Sequence, residues 1–159
     1  MAQEMGLGVT PWGPLKGGAL SGKYTPANRG VMKPDRGDHV TGSLTDQAYD
    51  LLDELQKIAI ELGSTVAAVS LAWVQSRPGA TSTIIGARTM NQFDSNIAAL
   101  DLPLSRDHID RLDKLSEPKL NFPAQVLKIA PNFSNAGATV NGIESTLLPQ
   151  APKYLEDHY

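Results

Sequence analysis

The stretch Ile84-Ile85-Gly86-Ala87-Arg88-Thr89 leads from a short apolar strand into the start of a helix through a glycine. The first N–H groups of a helix lack partners within the helix and therefore suit an anion. Gly86 lets a ligand approach the backbone closely, and Arg88 adds a planar charged group that fits a phosphate. The stretch predicts either a phosphate site or an ordinary strand-to-helix turn in which Arg88 is solvated.

The helix that follows begins with Thr89-Met90-Asn91-Gln92, which has the form of a capping box. Gln92 and Asn96 are four residues apart, so they share a face of this helix. Their amide groups suit the edge of a base or a sugar. In the alternative interpretation Gln92 only closes the capping box.

A second loop, residues 12–23, follows another short predicted strand over residues 7–12. Its glycines expose backbone N–H groups, and Lys23 supplies a positive charge. Residues 17–23 match the Gly-x-x-x-x-Gly-Lys pattern of a nucleotide-binding P-loop, but Tyr24 replaces the Ser or Thr that would hold magnesium. We therefore exclude a P-loop and keep the prediction of a phosphate contact. Trp12, at the end of the strand, either stacks on a planar ring or belongs to the core.

Between and after these loops the apolar residues recur at helical spacing. We predict helices over residues 45–62, 66–76, 90–100 and 106–115, with starts capped by Ser43 or Thr45, Ser64 or Thr65, Thr89, and Ser105. The second helix has almost no polar face and is predicted to be deeply buried. Strand, helices, strand and helix in this order indicate a parallel α/β fold.

Composition sets limits on the protein class. The chain has 159 residues, 14 Lys and Arg against 17 Asp and Glu, and no Cys. This length suits one domain, and the net charge of −3 does not favour a nucleic-acid partner. Without a run of about 18 apolar residues or a signal peptide, we expect a soluble cytoplasmic protein with no membrane partner. The lack of Cys excludes thiolate metal sites, and we predict no metal site.

Two parts of the chain resemble the aldo-keto reductases. Residues 8–24, with the pattern Gly-Val-Thr-Pro-Trp-Gly-Pro-Leu-x-x-Gly-x-Leu-x-Gly-Lys-Tyr, are similar to the loop after the seventh strand of that family. Residues 66–74 and 84–89, with Gln92 and Asn96, are similar to its last helix–strand–helix unit. The resemblance covers roughly residues 3–117. It implies an α/β fold, namely a partial (β/α)8 TIM barrel made of the last two strand–helix units with extra helices and mostly helical content.

The resemblance also implies a role for each of eleven residues in binding NADP(H). Trp12 would stack on the nicotinamide, and Lys23 would neutralise the pyrophosphate. The remaining contacts would be Gly13, Pro14, Leu15 and Gly17 along the nicotinamide ribose and pyrophosphate; Gly86, Ala87 and Arg88 at the phosphate on the adenosine ribose, which favours NADPH over NADH; and Gln92 and Asn96 at the adenosine end. Ser95 departs from the family, whose members often carry Glu there, and Arg29 or Arg36 is a further candidate for a clamp over the pyrophosphate.

The same resemblance implies that the catalytic Asp, Tyr, Lys and His of the family, which lie on the first four strands, are not in this chain. We predict no catalytic residue among the tyrosines Tyr24, Tyr49, Tyr154 and Tyr159 or the histidines His39, His108 and His158. We expect the three histidines to be solvated. Two parallel strands alone leave open edges. We therefore expect the missing barrel portion to come from a second polypeptide or from self-association, unless the chain is a fragment.

Three functions compete at this point. The first is the C-terminal, NADPH-binding part of an aldo-keto reductase, over residues 1–117, that reduces aldehydes or ketones by hydride transfer. The second is a non-catalytic module that binds NADP or is vestigial. The third is another phosphate-binding barrel enzyme that uses a flavin or a sugar phosphate. Residues 118–159 are predicted to be an irregular tail, either disordered or folded over the substrate pocket with Phe122, Phe133 and Tyr154.

Overall fold

Helices make up the regular part of the chain in the computed structural model, which describes residues 1–31, 40, 42–119 and 121–146. The chain divides into two compact units, Met1–Glu117 and Pro118–Tyr159. The α-helices of the described residues are α1 (Asp46–Glu61), α2 (Val66–Gln75), α3 (Met90–Ala98) and α4 (Arg106–Ser116) in the first unit and α5 (Ala124–Ser134) in the second. Short 3-10 turns lie at Lys16–Gly18, Pro26–Asn28 and Ala99–Asp101.

The four helices of the first unit begin at the predicted capping residues. Thr45, Thr65, Thr89 and Ser105 each accept a hydrogen bond, through the side-chain oxygen, from a backbone N–H three residues further on. These bonds satisfy donors that have no partner within the helix. Gly63 then ends α1 in the left-handed conformation, with φ at +59°. The helical part of the fold prediction is therefore confirmed.

The core of the first unit lies between α1, α2 and α4. Ile58, Val69 and Leu112 contribute one fully buried side chain from each of these helices. Most of α2 is buried, as predicted. The apolar side of α3 is instead exposed, with Phe93 45% and Ile97 41% accessible, and Leu100 in the 3-10 turn that follows is 67% accessible. In the described part of the chain no single helix is long and apolar enough to cross a membrane. Among the described helices, only α1 and α2 taken together, which meet at a 98° bend, have the length and composition for this.

The two predicted strands do not form regular strands in the described residues. They meet only through isolated parallel bridges, Val9 with Ala80 and Trp12 with Ile84. Pro11 has no N–H to donate, and the Val9 N–H donates to Thr81 Oγ1 rather than to a backbone carbonyl. A parallel ladder therefore does not extend, and the prediction of a partial barrel with two strands is not established here. The bridges still hold the two segments side by side and parallel, so the loops that follow both lie at the same end.

In the second unit the prediction of an irregular tail is wrong for α5. Two features hid this helix: Pro131 lies inside it, and Pro123 at its start provides no side-chain cap. Within this unit Phe122 is 82% and Phe133 61% exposed. Tyr154 lies outside the described residues, so a tail that covers the substrate pocket stays a prediction.

An ion-pair network joins α1 to α4. Arg111 of α4 contacts Glu54 Oε1 at 2.7 Å and Glu61 Oε1 at 3.1 Å, and His108 Nε2 lies 3.1 Å from the other Glu61 oxygen. The Arg111 hydrogen bond, with a further contribution from His108, lowers the pKa of Glu61 below its ordinary value of about 4.5. The network therefore connects the stability of the helix pair to the ionisation of Glu61.

Glu61→Gln is expected to make acid unfolding less steep. A carboxylate whose pKa is lower in the folded state contributes stability above its unfolded pKa, and this contribution is lost as pH falls through the folded pKa. The free energy of unfolding, measured with urea between about pH 6 and pH 3, should thus fall less in the variant than in the unmodified chain below about pH 4.5. Asp50→Asn, which changes an exposed α1 carboxylate without an ion pair in the described structure, is the control; equal slopes for Glu61→Gln and the unmodified chain would contradict the prediction.

Candidate functional site

A hollow of about 660 Å³ lies in the first unit, where the two loops that follow the bridged segments meet α3. All of the residues that the resemblance implies as cofactor contacts line this one hollow: Trp12, Gly13, Pro14, Leu15, Gly17, Lys23, Gly86, Ala87, Arg88, Gln92 and Asn96. The parallel bridges explain the convergence, because they place the ends of both segments next to each other. Its lining extends from the side chain of Trp12 to the start of α3.

The first loop presents Trp12 and a tight turn. Trp12 is 85% exposed, so the alternative that it belongs to the core is wrong. Gly13 and Gly17 have φ of +66° and +67°, a region that other residues adopt only with strain. The turn is closed by the Lys16 N–H, which donates to the Gly13 carbonyl at 2.9 Å. The loop therefore places a planar apolar ring beside a stretch of tightly turned backbone.

The second loop and the start of α3 leave room at Gly86. A Cβ added at Gly86 would have no atom within 4 Å, so the space next to this backbone is open to a ligand. Gln92 Oε1 accepts a hydrogen bond from the Arg88 N–H at 2.9 Å. The Gln92 oxygen therefore has a capping role, but it accepts from the N–H of Arg88 and not from that of Thr89, the residue a standard capping box would use. The amide nitrogen of Gln92 remains available as a donor on the wall of the hollow.

Asn96 is a buried polar side chain on the same wall. It is 7% exposed, and within the described residues its amide makes no hydrogen bond to another side chain or to the backbone. Its amide atoms are not among the fully buried polar atoms without a partner in the described residues, so they remain accessible at the surface of the hollow. The amide can therefore hydrogen-bond to a ligand or to solvent in the hollow.

Two hydroxyl groups on the wall were not predicted as site residues. Thr65 Oγ1 and Ser95 Oγ lie 3.2 Å apart, and both side chains line the hollow. Thr65 also caps α2, a role that explains its residue type without a ligand. The sequence therefore contained no signal that separated a capping threonine from a site threonine.

Other candidates lie away from the hollow. Arg29 is held against α1, where its guanidinium pairs with Asp46 and lies 4.9 Å from the ring centre of Tyr49, so it does not clamp the hollow. Arg36, His39, His158, Tyr154 and Tyr159 fall outside the described residues. His108 is not solvated as predicted: it accepts from the Ser105 N–H, contacts Glu61, and its side chain is 12% exposed. Within the described ranges no three potential metal ligands cluster.

The charges of the hollow come from both loops. Lys23 belongs to the first loop and Arg88 to the second, and both line the hollow. Two cations, exposed backbone turns and a helix start around one hollow favour a ligand with several negative charges. An aromatic ring at one end and amide groups on α3 add contacts for planar rings and sugars.

Comparison with known proteins gives a consistent family. The model of the aldo/keto reductase family matches residues 1–117. The chain is 35% identical over 114 residues to the uncharacterized oxidoreductase YrpG of Bacillus subtilis (strain 168), a match that covers 72% of this chain and 33% of that protein. It is 35% identical over 120 residues to a probable voltage-gated potassium channel subunit beta of Oryza sativa subsp. japonica, covering 72% of this chain and 37% of that protein.

A third relative, the putative aryl-alcohol dehydrogenase YFL057C of Saccharomyces cerevisiae, is 24% identical over 149 residues, covering 92% of this chain and 98% of that protein. The chain thus spans about a third of the length of the first two relatives. The matched region contains both loops, the four helices of the first unit and the whole hollow. By this match over most of its length, the chain belongs to the aldo/keto reductase family.

Proposed function

We propose that the hollow binds NADP(H) and that this chain is the C-terminal, cofactor-binding part of a reductase that reduces aldehydes or ketones. The aldo/keto reductases are oxidoreductases that generally use nicotinamide dinucleotides. The observation that carries the proposal is the presence of Lys23, Arg88 and the mostly buried Asn96 on one hollow. Two cations match separated phosphates, and Asn96 offers a hydrogen bond that no described protein group takes.

The residues present fit such a dinucleotide from end to end. Trp12 provides a face for the nicotinamide ring, and the first loop with Lys23 suits the pyrophosphate. Arg88 and the start of α3 suit the additional phosphate of NADPH, which NADH lacks. Gln92 and Asn96 would then contact the adenosine. When bound, the cofactor supplies a hydride; the residues of this chain bind and orient it.

We further propose that a barrel portion with the catalytic Asp, Tyr, Lys and His completes the site, from a second polypeptide, from self-association, or from a longer chain of which this is a fragment. Leu7, Val9 and Ile84, on the bridged segments, are 57%, 39% and 48% exposed. Parallel strands in known folds are covered on both faces, so exposed apolar residues here favour further packing. We also propose a cytoplasmic location and a C-terminal tail that covers the substrate pocket.

Titration with NADPH should quench the fluorescence of Trp12. A nicotinamide stacked on an 85% exposed indole changes the environment of this residue far more than that of the second tryptophan, Trp73, which is hydrogen-bonded to Asp113. Trp12→Tyr should therefore lose most of the quench, while Trp73→Phe should keep it. The absence of quenching and of binding heat in the unmodified chain, even with a complementary barrel portion added, would contradict the proposed function.

A second candidate is a non-catalytic module that binds NADP(H). Two observations favour it. Tyr24, the tyrosine that lines the hollow, is 5% exposed and packs in the core. No described histidine lines the hollow. A proton donor needs reach to the substrate, which a core tyrosine does not have. Carbonyl reduction by the purified chain alone, free of contaminating reductase, would exclude this second candidate.

A further inference from the structure

The segment from Gly22 to Arg29 carries Lys23 to the wall of the hollow and holds it there. We infer, on the basis of the proposed dinucleotide site, that Asn28 is the positioning residue for Lys23. Asn28 does not line the hollow and would act only through the backbone of Lys23. The motivating contacts are two hydrogen bonds of its amide group.

The Asn28 amide bridges two backbone groups of the segment. Its Nδ2 donates to the Lys23 carbonyl at 2.8 Å, and its Oδ1 accepts from the Thr25 N–H, also at 2.8 Å. Both bonds have good lengths for neutral groups. An amide supplies a donor and an acceptor on one rigid plane, whereas a carboxylate supplies only acceptors. The residue type is therefore matched to closing this particular turn.

The two neighbours of Lys23 are anchored independently. Gly22 has φ of +85°, and a Cβ there would meet Val66 Cβ at 3.1 Å, so the backbone lies against the start of α2. Tyr24 is 5% exposed and packs in the core cluster. The carbonyl of Lys23 between them is held by Asn28. These contacts fix where the lysine side chain leaves the backbone.

The far end of the segment is attached to α1. Arg29 follows Asn28 directly, pairs with Asp46 in the first turn of α1 and lies over the ring of Tyr49. Residue 28 is thereby held close to the helix, and the Asn28 amide transmits this fixed position back to Lys23. Residues 22–29 are therefore fixed at both ends and hydrogen-bonded within the segment.

The position of this lysine matters because its side chain is long and flexible. An ammonium group interacts with phosphate as a point charge, and the attraction falls with distance. A fixed backbone limits the volume that the ammonium samples and keeps it near the proposed pyrophosphate position. Loss of the two Asn28 hydrogen bonds is expected to weaken NADPH binding about three- to tenfold, equivalent to part of the free energy of one charged hydrogen bond.

A double-mutant cycle on the full chain tests this role. Asn28→Ala should raise the Kd for NADPH by about three- to tenfold in the unmodified background but less than about twofold when Lys23→Met is also present, because the lysine no longer transmits the effect. Affinity for adenosine 2′-monophosphate, which lacks the pyrophosphate, should be unchanged by Asn28→Ala. Ala27→Ser, in the same turn, is the control and should change neither affinity.

Several outcomes would overturn the inference. Equal losses with and without Lys23, no loss with Asn28→Ala, or a matching loss of adenosine 2′-monophosphate binding would show that Asn28 does not act through Lys23. Should Asn28→Ala fail to fold, Asn28→Gln, which displaces the amide by one methylene, provides the same cycle. Failure of the unmodified chain to bind NADPH at all would instead remove the proposed function on which the inference depends.

Discussion

We expect Gly86→Val to weaken NADPH binding by about a hundredfold while leaving the thermal midpoint of unfolding unchanged. A Cβ at this position would have no atom within 4 Å, and the backbone of Gly86 is outside the left-handed region that favours glycine. The backbone therefore accepts a Cβ at this position without strain. The added methyl groups occupy the space that the proposed phosphate needs next to the backbone.

Isothermal titration and thermal unfolding on the same preparation would measure this effect. Ala98→Val is the matched control, because Ala98 is an exposed residue of α3 outside the hollow. Gly13→Val would be a poorer test, since its φ of +66° makes any side chain there strained. Retained NADPH affinity in a folded Gly86→Val chain would show that no ligand approaches this backbone.

Arg88→Gln is expected to separate the two nicotinamide dinucleotides. It should weaken NADPH binding by about tenfold to a hundredfold, since a charged hydrogen bond contributes roughly 1.5–3 kcal/mol, and should change NADH binding by less than about twofold. The reason is that the phosphate assigned to Arg88 is present only in NADPH. Arg88→Lys, which keeps the charge but not the planar fork, should give an intermediate loss.

Lys23→Met serves as the comparison for Arg88→Gln. The pyrophosphate assigned to Lys23 is common to both dinucleotides, so this change should weaken NADPH and NADH by similar factors. Dissociation constants for both ligands with all three variants test the assignment. Equal losses of NADPH and NADH in Arg88→Gln would place Arg88 on a part of the ligand that both share.

The helices of the first unit were predictable because their signals are local. Thr45, Thr65, Thr89 and Ser105 each act on a backbone group only three residues away, so a capping residue can be recognised without knowing the fold. The same logic failed for α5, where Pro123 gives no cap and Pro131 suggests a break. This helix has no buried residue, so its start and its interior proline gave no local signal for the sequence to be read by.

The bridged segments show the opposite limit. Apolar residues over 7–12 and 83–85 predicted strands, but a parallel ladder needs neighbours on both sides, and Pro11 and Thr81 interrupt the pairing that is present. The exposure of Trp12 was likewise undecided by sequence, because an indole at a strand end suits a core as well as a ligand. Both questions concern neighbours distant in the chain.

By itself the sequence determined the capped helices of the first unit and the two loops rich in glycine and positive charge, because these features depend on residues within three or four positions of each other. Only the tertiary structure decided that Lys23 and Arg88 line one hollow, that Asn96 is buried there without a described partner, and that Arg29 is held against α1. These results depend on parallel bridges and helix packing between distant residues, and such contacts form only when the chain folds.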